Sequence, residues 1–333
     1  MIDFRYHIVS LIAVFLALAV GVVLGAGPLG GTFGEQLTAQ VETLRQEKES
    51  LRIELEDARA DNEELVTFID SAAAQLLPGT LTDVAVTVVE MPDADSDTVS
   101  TLLDRVEQAG GQLSGRVVAT SRWTDPADQA ARDEAAAAIR TLMLIPPAAD
   151  ATSEQVLGHG LALALSDRDP LASEAFSSTA GAIYTVLLDA GLIEEDDART
   201  APADAMLLVA PAPLADPGEA EDADAAALAI EVATVTGFAG QPAVLAGTDD
   251  DATDLVDAVR SAPDGAAAVS TVDSIDAVTG QVITPLALAA VYRGVGVSHY
   301  GLAPDATVVL PQLPEPPDTG GEESTQGATE DGS

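Results

Sequence analysis

Acidic side chains follow three of the predicted strands, and carboxylates in that place could bind a cation. Asp93, Asp95 and Asp97 follow the first strand, "GTDDDATD" with Asp249 follows a later one, and Asp273 lies in "STVDSID". The carboxyl ends of parallel strands meet at one edge of a sheet, where ligands usually bind. The pattern predicts a possible acidic site for a hard cation or a cationic partner at this edge, with Asp93, Asp95, Asp249 and Asp273 as candidate residues.

The same acids have a more ordinary interpretation, because an aspartate just before a helix is a common N-cap. The stretch from Asp93 to Asp104 begins like a calcium loop. Thr98, however, stands where that loop needs glycine, and Asp104 replaces its bidentate glutamate. Capping and solvated charge are therefore favoured, and the cation site is the alternative.

No set of residues in the sequence predicts catalysis. The chain has three histidines and no cysteine. The absence of cysteine excludes thiolate metal sites, disulfides and cysteine nucleophiles. Ser270, Ser298 and His299 suggest a hydrolase triad, but no G-x-S-x-G elbow occurs between a strand and a helix. No pair of carboxylates stands out for general-base chemistry. We therefore predict a protein that is not an enzyme and has no cofactor.

The glycines of "GAGPLG" (Gly25–Gly30) match the dinucleotide-binding fingerprint in the wrong context. That fingerprint needs a short strand before it and a helix opening on its last glycine. Here it follows an apolar run, and no charged residue occurs from Ile8 to Gly27, about the 20 residues that a membrane-spanning helix needs. The sequence predicts a cytoplasmic tip at 1–7 and a transmembrane helix at 8–27, with Ile8 and Leu24 near its ends.

A cleaved signal peptide is the alternative for this segment. Its apolar core normally spans about 7–15 residues and ends in small residues, whereas this run is longer and Leu24 stands where a small residue is expected. An uncleaved anchor is therefore favoured. Arg5 is the basic residue nearest to the anchor, so the positive-inside rule predicts a cytoplasmic N-terminus. The protein is then single-pass in the cell membrane, with its bulk extracytoplasmic.

A heptad pattern occupies residues 35–77. Apolar residues recur at alternating steps of four and three, and charged residues fill the outer positions. Leucine at d, with polar Lys48 and Asn62 at a, favours a parallel two-stranded coiled coil in which paired Asn62 residues set the register. The predicted core residues are Leu37, Val41, Leu44, Leu51, Leu55, Asn62, Leu65 and Ile69.

A single amphipathic helix lying along its own domain is the alternative to a coiled coil. A continuous helix from Leu37 to Leu76 would be about 60 Å long, at 1.5 Å per residue. That is longer than a compact domain can cover. We therefore favour a parallel homodimer.

Residues 80–310 predict an extracytoplasmic domain of the α/β class. Val84–Glu90 and Gln112–Thr120 have strand patterns and are joined by a helical pattern at Asp97–Gly111, which indicates a βαβ unit with parallel strands. The whole indicates an open, mostly parallel sheet with helices on both faces. Further strands are predicted at Ala205–Pro211, Pro242–Gly247 and Ala266–Thr271, with helices at Glu219–Thr236 and Thr253–Arg260.

A mostly helical section separates the two halves of this domain, from Asp125 to Ala190. Asp125-Pro126 and Asp169-Pro170 are predicted as cap-then-proline helix starts. Residues 311–333 consist largely of Pro, Gly, Glu, Ser and Thr, with almost nothing to bury. They predict a disordered acidic tail.

The charge balance excludes one class of partner. The chain has 55 Asp and Glu against 14 Lys and Arg, a formal net charge of −41. Nucleic acid needs a basic face for its phosphates, so we predict no nucleic-acid partner.

Four segments are distinctive enough to compare with a protein family. They are "FRYHIVSLIAVFLALAVGVVLG" (Phe4–Gly25), the heptad region after it, "SDRDP" (Ser166–Pro170) and "STVDSID" (Ser270–Asp276). Together they resemble the MctB family, an actinobacterial group of copper transport and copper-homeostasis proteins, over nearly the whole chain except the tail. The resemblance implies copper export or envelope permeability. Members also resemble SteB-like membrane-anchored coiled-coil factors, linked to daughter-cell separation in cell division and to control of peptidoglycan hydrolysis.

The residues show no copper site. Cu(I) prefers Cys or Met and Cu(II) prefers imidazole, but Met91, Met143 and Met206 lack the short spacing of a methionine motif. His159 lies in a helical pattern, and His299 in "GVSHYG" is the best isolated candidate. The resemblance implies copper homeostasis as the function. The residues favour the alternative, a non-enzymatic scaffold or regulator acting on an envelope or membrane protein partner.

Overall fold

The computed structural model describes residues 4–25, 29–212, 221–248 and 254–314, without the side chains of 29–36 and 221–223. The chain divides into two compact units, residues 1–67 and 68–333. The helices are α1 (Phe4–Gly25), α2 (Leu29–Leu76), α3 (Ser96–Gln108), α4 (Ser121–Thr124), α5 (Gln129–Leu142), α6 (Ser153–Ser166), α7 (Ser178–Asp189), α8 (Glu221–Thr236), α9 (Leu255–Ser261), α10 (Pro263–Ala266) and α11 (Val278–Tyr292). The strands are β1 (Ala85–Glu90), β2 (Gln112–Ala119), β3 (Arg168–Asp169), β4 (Ala172–Phe176), β5 (Ile193–Asp197), β6 (Ala205–Val209), β7 (Ala243–Ala246), β8 (Ser270–Val272) and β9 (His299–Tyr300).

The first unit begins with the apolar helix α1. Its 22 residues give a length of about 33 Å, enough for the roughly 30 Å hydrocarbon core of a bilayer. Among the described residues it is the one helix long and apolar enough to cross a membrane. The predicted apolar helix is thus confirmed from Phe4 to Gly25. Residues 26–28, the end of the predicted span and the start of "GPLG", lie outside the described residues.

The helix α2 runs without a break for 48 residues and starts six residues before the predicted heptad region. Its predicted core residues from Leu37 to Leu65 are exposed. Ile69, by contrast, packs against an apolar cluster of the second unit. The heptad stripe before Ile69 therefore has no cover within the described part of this single chain.

The second unit is built on a seven-stranded sheet in the order β5-β2-β1-β6-β7-β8-β9. β1 pairs in parallel with β2 on one side and with β6 on the other, which confirms the predicted βαβ unit. The order continues in parallel to β9, and β5 at the opposite edge is antiparallel to β2. The predicted α/β class with a mostly parallel sheet is confirmed.

Apolar side chains of the sheet pack on both of its faces, because successive residues of a strand point to opposite sides. In β6, Met206 and Leu208 belong to the cluster beneath α5–α9. Leu207 and Val209 belong to the cluster beneath α3, α11 and the end of α2. Such two-sided burial explains why β6 is a continuous apolar run.

One predicted element is wrong, and another has different bounds. Asp169-Pro170 starts no helix, because Asp169 ends β3 and its Oδ1 accepts a hydrogen bond from the Leu171 N–H at 2.8 Å, in the turn of the β3–β4 hairpin. The predicted strand Ala266–Thr271 begins only at Ser270, since Ala266 ends α10. Asp125, by contrast, caps a 3₁₀ turn by accepting the Ala127 N–H, as predicted.

The helices α6 and α8 approach closely at two glycines. A Cβ atom added at Gly158 would lie 2.1 Å from the carbonyl oxygen of Thr234, and one at Gly237 would lie 2.4 Å from that of Gln155. Both obstacles are backbone atoms, which cannot turn away as a side chain can. The glycines thus set the distance between these helices.

Gly158→Ala should therefore lower the free energy of unfolding by about 1–3 kcal/mol, the usual cost of overpacking. Urea unfolding followed by the fluorescence of Trp123, the chain's one tryptophan, measures this. Gly181→Ala in α7 is the matched control, because a Cβ there meets nothing within 4 Å. It should stabilise the domain by up to about 1 kcal/mol through helix propensity. Equal effects of the two substitutions would contradict the close-packing explanation.

Candidate functional site at the carboxyl edge of the sheet

The order of the strands reverses between β1 and β6. After β1 the chain crosses through α3, whose Val99, Leu102 and Val106 pack on one face of the sheet. After β6 it crosses through α8, whose Val235 packs on the opposite face. Because the two helices diverge, a crevice opens outside the carboxyl ends of these strands, the usual ligand position in an open α/β sheet.

A cleft of about 260 Å³ occupies this position. Its floor is mostly apolar, and the side chains of the described lining residues supply two carboxylates and two hydroxyls. Ile275 and Asp276 enter the cleft from the loop after β8. The lining residues are Asp95, Thr98, Val209, Ala210, Pro211, Ala212, Thr248, Ile275 and Asp276.

Asp95 lines the cleft and also caps α3. Its Oδ2 accepts a hydrogen bond from the Thr98 N–H at 2.8 Å, and hydrogen bonds from Thr98 hold the pKa of the Asp95 carboxyl below its usual value. Asp93, two residues earlier, adopts a left-handed backbone (φ 63°). Its carbonyl oxygen accepts a hydrogen bond from the Ala212 N–H at 3.0 Å. This last hydrogen bond joins the loop after β1 to the loop after β6.

Asp273 is buried rather than open to a ligand. Its carboxylate pairs with Arg260 Nη1 at 3.1 Å and accepts hydrogen bonds from the Leu302 N–H at 2.9 Å and the Ala303 N–H at 3.3 Å. Gly301 (φ +136°) lies so close that a Cβ there would be 2.0 Å from Asp273 Oδ2. Asp273 therefore anchors the segment after β9, and its neighbour Asp276 is the residue that reaches the cleft. Asp249 lies outside the described residues.

Sequence reasoning missed Glu231, a buried carboxyl in α8 that is 7 % exposed. Burial, and then the nearby charge of Asp93, raise its pKa to about 8. One signal was available, because Glu231 interrupts the otherwise apolar stretch "AAALAIEVATV". A carboxyl at that place in a helix pattern is expected to face the core.

The possible copper ligands lie apart from one another. His159 Nδ1 is 3.3 Å from the Gly237 carbonyl oxygen. Met91, Met143 and Met206 are buried in the core. Within the described residues no three His, Cys, Asp or Glu side chains are grouped as a metal site.

His299 takes part in a hydrogen-bonded chain at the edge of the sheet. Arg260 Nε donates to Thr271 Oγ1 at 2.7 Å, and Thr271 Oγ1 in turn is hydrogen-bonded to His299 Nδ1 at 3.0 Å. Burial, and then the charge of Arg260, lower the pKa of His299. The Nδ1 atom of the best histidine candidate is thus already engaged.

These elements define an α/β protein that carries an N-terminal helix suited to span a membrane. The model of the family described as "Copper transport outer membrane protein, MctB" matches residues 1–311, and the chain belongs to this family. The protein named copper transporter MctB of Mycobacterium tuberculosis is 30% identical over 323 residues, covering 90% of this chain and 96% of the relative. The protein of the same name from Mycobacterium leprae is 31% identical over 334 residues, covering 94% of this chain and 100% of the relative.

Proposed function

We propose that this protein is a single-pass, membrane-anchored envelope protein of copper homeostasis. The observation that carries the proposal is the family match, which extends over residues 1–311 and so includes the apolar helix, the long helix and the α/β domain. The relatives named copper transporter MctB are similar over 90% or more of this chain. The helix α1 serves as the anchor, with the N-terminus in the cytoplasm and the α/β domain outside.

The role in copper handling is indirect and non-enzymatic. Cu(I) favours thiolate and thioether ligands, but the chain has no cysteine and its methionines in the α/β domain are buried. His299 Nδ1 is engaged by Thr271. Copper is then moved by a membrane or envelope protein that this chain binds.

A strain lacking the gene tests this proposal when it is grown without added copper. We expect raised cell-associated copper with normal separation of daughter cells, and restoration of copper to the parental value by the intact gene. A His299→Ala gene should restore copper as well as the intact one. Unchanged copper in the deletion strain would contradict the proposal.

A second function, a scaffold or regulator of cell separation and peptidoglycan hydrolysis, is favoured by the exposed heptad stripe of α2. The apolar residues from Leu37 to Leu65 in this stripe are 44–64 % exposed. Burying such a leucine stabilises by roughly 1.5–3 kcal/mol. A second copy of α2 would cover the stripe and form a rigid parallel coiled coil as a spacer. Chained cells with unchanged copper in the deletion strain would support this function over the first.

Charges beside the stripe favour a parallel pair of identical chains. A parallel dimer brings each g residue to the e residue five positions later on the other chain, so Glu47 would face Arg52 and Glu54 would face Arg59 of the second copy. An antiparallel pair would bring like charges together. The charged residues at e positions are Arg45, Arg52 and Arg59, and those at g positions are Glu47, Glu54 and Asp61.

Disulfide trapping tests the parallel register directly, because the chain has no cysteine of its own. Asn62→Cys at an a position should cross-link the full chain in detergent on mild oxidation, since facing a residues lie within disulfide range. Ala60→Cys at an outward f position is the matched control and should stay monomeric on a non-reducing gel. Equal cross-linking of the two variants, or none in Asn62→Cys, would rule out the proposed pairing.

A further inference from the structure

The cleft between β1 and β6 combines an apolar floor with carboxylates at its rim. Val209, Ala210, Pro211 and Ile275 form much of the floor. Asp276 is exposed beside it, and Asp95 lies on the other side at the start of α3. A long side chain with an apolar stem and a charged head suits such a surface, because the stem packs while the head stays solvated.

The chemistry of the described lining argues against anions, hard cations and copper as ligands. A helix N-terminus normally attracts anions, but the Asp95 carboxylate already accepts the Thr98 N–H, and Asp97 adds a second negative charge in the first turn. A hard cation such as Ca²⁺ requires six to eight oxygen ligands. Among the residues that the structure describes, the cleft offers two carboxylates on an apolar floor, and no histidine or methionine lines it.

The size of the cleft favours a side chain over a whole small molecule. Pockets for small molecules usually measure about 300–1,000 Å³, and this one has about 260 Å³. The protein's net charge of −41 adds a long-range attraction for basic partners, which raises their rate of encounter. Guanidinium matches a carboxylate with two parallel hydrogen bonds, which ammonium cannot make.

We propose that this cleft binds an arginine side chain on an extended segment of a partner protein. The aliphatic stem lies on Pro211 and Ile275, and the guanidinium pairs with Asp276 and lies within the field of Asp95. The proposal explains why the loops after β1, β6 and β8 meet at one small open cleft.

Methyl NMR of the full chain in nanodiscs, labelled at isoleucine, tests this binding, because Ile275 lines the cleft and its methyl signal reports on it. The probe is a blocked Ala-Arg-Ala tripeptide, and its control is the same peptide with citrulline, which keeps the shape of arginine but has no charge. The Ile275 methyl signal should shift saturably with the arginine peptide and several-fold more weakly with citrulline. The Ile183 methyl, in the core beneath the opposite face, should not shift.

Two variants of the cleft and one matched control complete the test. Asp276→Asn should weaken binding by roughly two- to fivefold, the range for an exposed ion pair. Ala212→Leu should abolish it by filling the cleft without changing the charge. Asp150→Asn, which removes the same charge from an exposed loop, should leave the affinity for the arginine peptide within twofold of the parent value.

Four results would each overturn the proposal. They are equal binding of the two peptides, equal effects of Asp276→Asn and Asp150→Asn, unaltered binding to Ala212→Leu, and displacement of the peptide by Ca²⁺ at constant ionic strength. The last would instead make the cleft a hard-cation site.

Discussion

Replacing Asp273 by alanine should lower the free energy of unfolding of the α/β domain by about 3–5 kcal/mol, the typical cost of removing one partner from a buried ion pair. The Arg260 side chain is 3 % exposed and that of Asp273 is fully buried, so the guanidinium would keep its charge where water cannot replace the carboxylate. The same substitution leaves the Leu302 N–H without its acceptor. The segment after β9 would then lose its attachment to β8.

Asp305→Ala is the matched control, because Asp305 pairs with the same Arg260 nitrogen at 2.8 Å but its side chain is 36 % exposed. An exposed partner contributes about 0–1 kcal/mol. Urea unfolding of the full chain, followed by Trp123 fluorescence, measures both variants, since Trp123 is fully buried in the core. Similar small losses for the two would mean that Asp273 does not stabilise the fold.

The central strands could be predicted from the sequence, but the order of the strands and the edges of the sheet could not. β1, β6 and β7 are apolar runs buried on both faces, which is the pattern that parallel strands produce. β5, with the sequence "IEEDD", buries only Ile193. As an antiparallel edge strand it needs no apolar alternation, and its charges discourage pairing with another chain.

The predicted helix start at Asp169-Pro170 is wrong for a related reason. An aspartate followed by proline both begins helices and opens turns, and the local sequence does not distinguish the two. In the folded chain the contacts of Arg168 favour the turn, because Arg168 donates to the Ser173 and Pro202 carbonyl oxygens and pairs with Asp204. These partners lie as many as 36 residues away.

The same limit applies to the candidate site. Asp95 could be assigned as a cap, because that interaction spans three residues of sequence. Asp273 and Asp276 have equivalent local patterns, and only the position of Arg260 and the segment from Gly301 to Ala303 makes one buried and leaves the other exposed. Which of several acidic residues lines the cleft therefore depends on tertiary contacts, and these cannot be read from the local sequence.

Glu231→Gln should stabilise the domain, and its advantage should grow with pH. Burial raises the pKa of Glu231 to about 8 in the folded chain, against an ordinary value of 4.5. The folded chain therefore keeps a proton that the unfolded chain releases, and the free energy of unfolding falls by about 1.4 kcal/mol per pH unit between these values. The loss is absent below about pH 4.5 and is complete above about pH 8, where it reaches about 5 kcal/mol at most. Glutamine keeps the volume and polarity of the side chain but has no proton to lose.

Urea unfolding of parent and variant at about pH 5 and about pH 9 measures the change. The free energy of unfolding of the glutamine variant should exceed that of the parent by little at the lower pH and by several kcal/mol at the higher one. At the higher pH only the parent must either bury a carboxylate beside Asp93 or stay protonated where the unfolded chain is ionised. Glu174→Gln, at an exposed position on β4, removes the same charge as a matched control. A difference between parent and Glu231→Gln that is the same at both pH values would show that Glu231 reaches water in the folded chain. A growing difference would establish a buried acid next to the loop after β1, so that the stability of the domain carrying the cleft depends on the pH of its compartment.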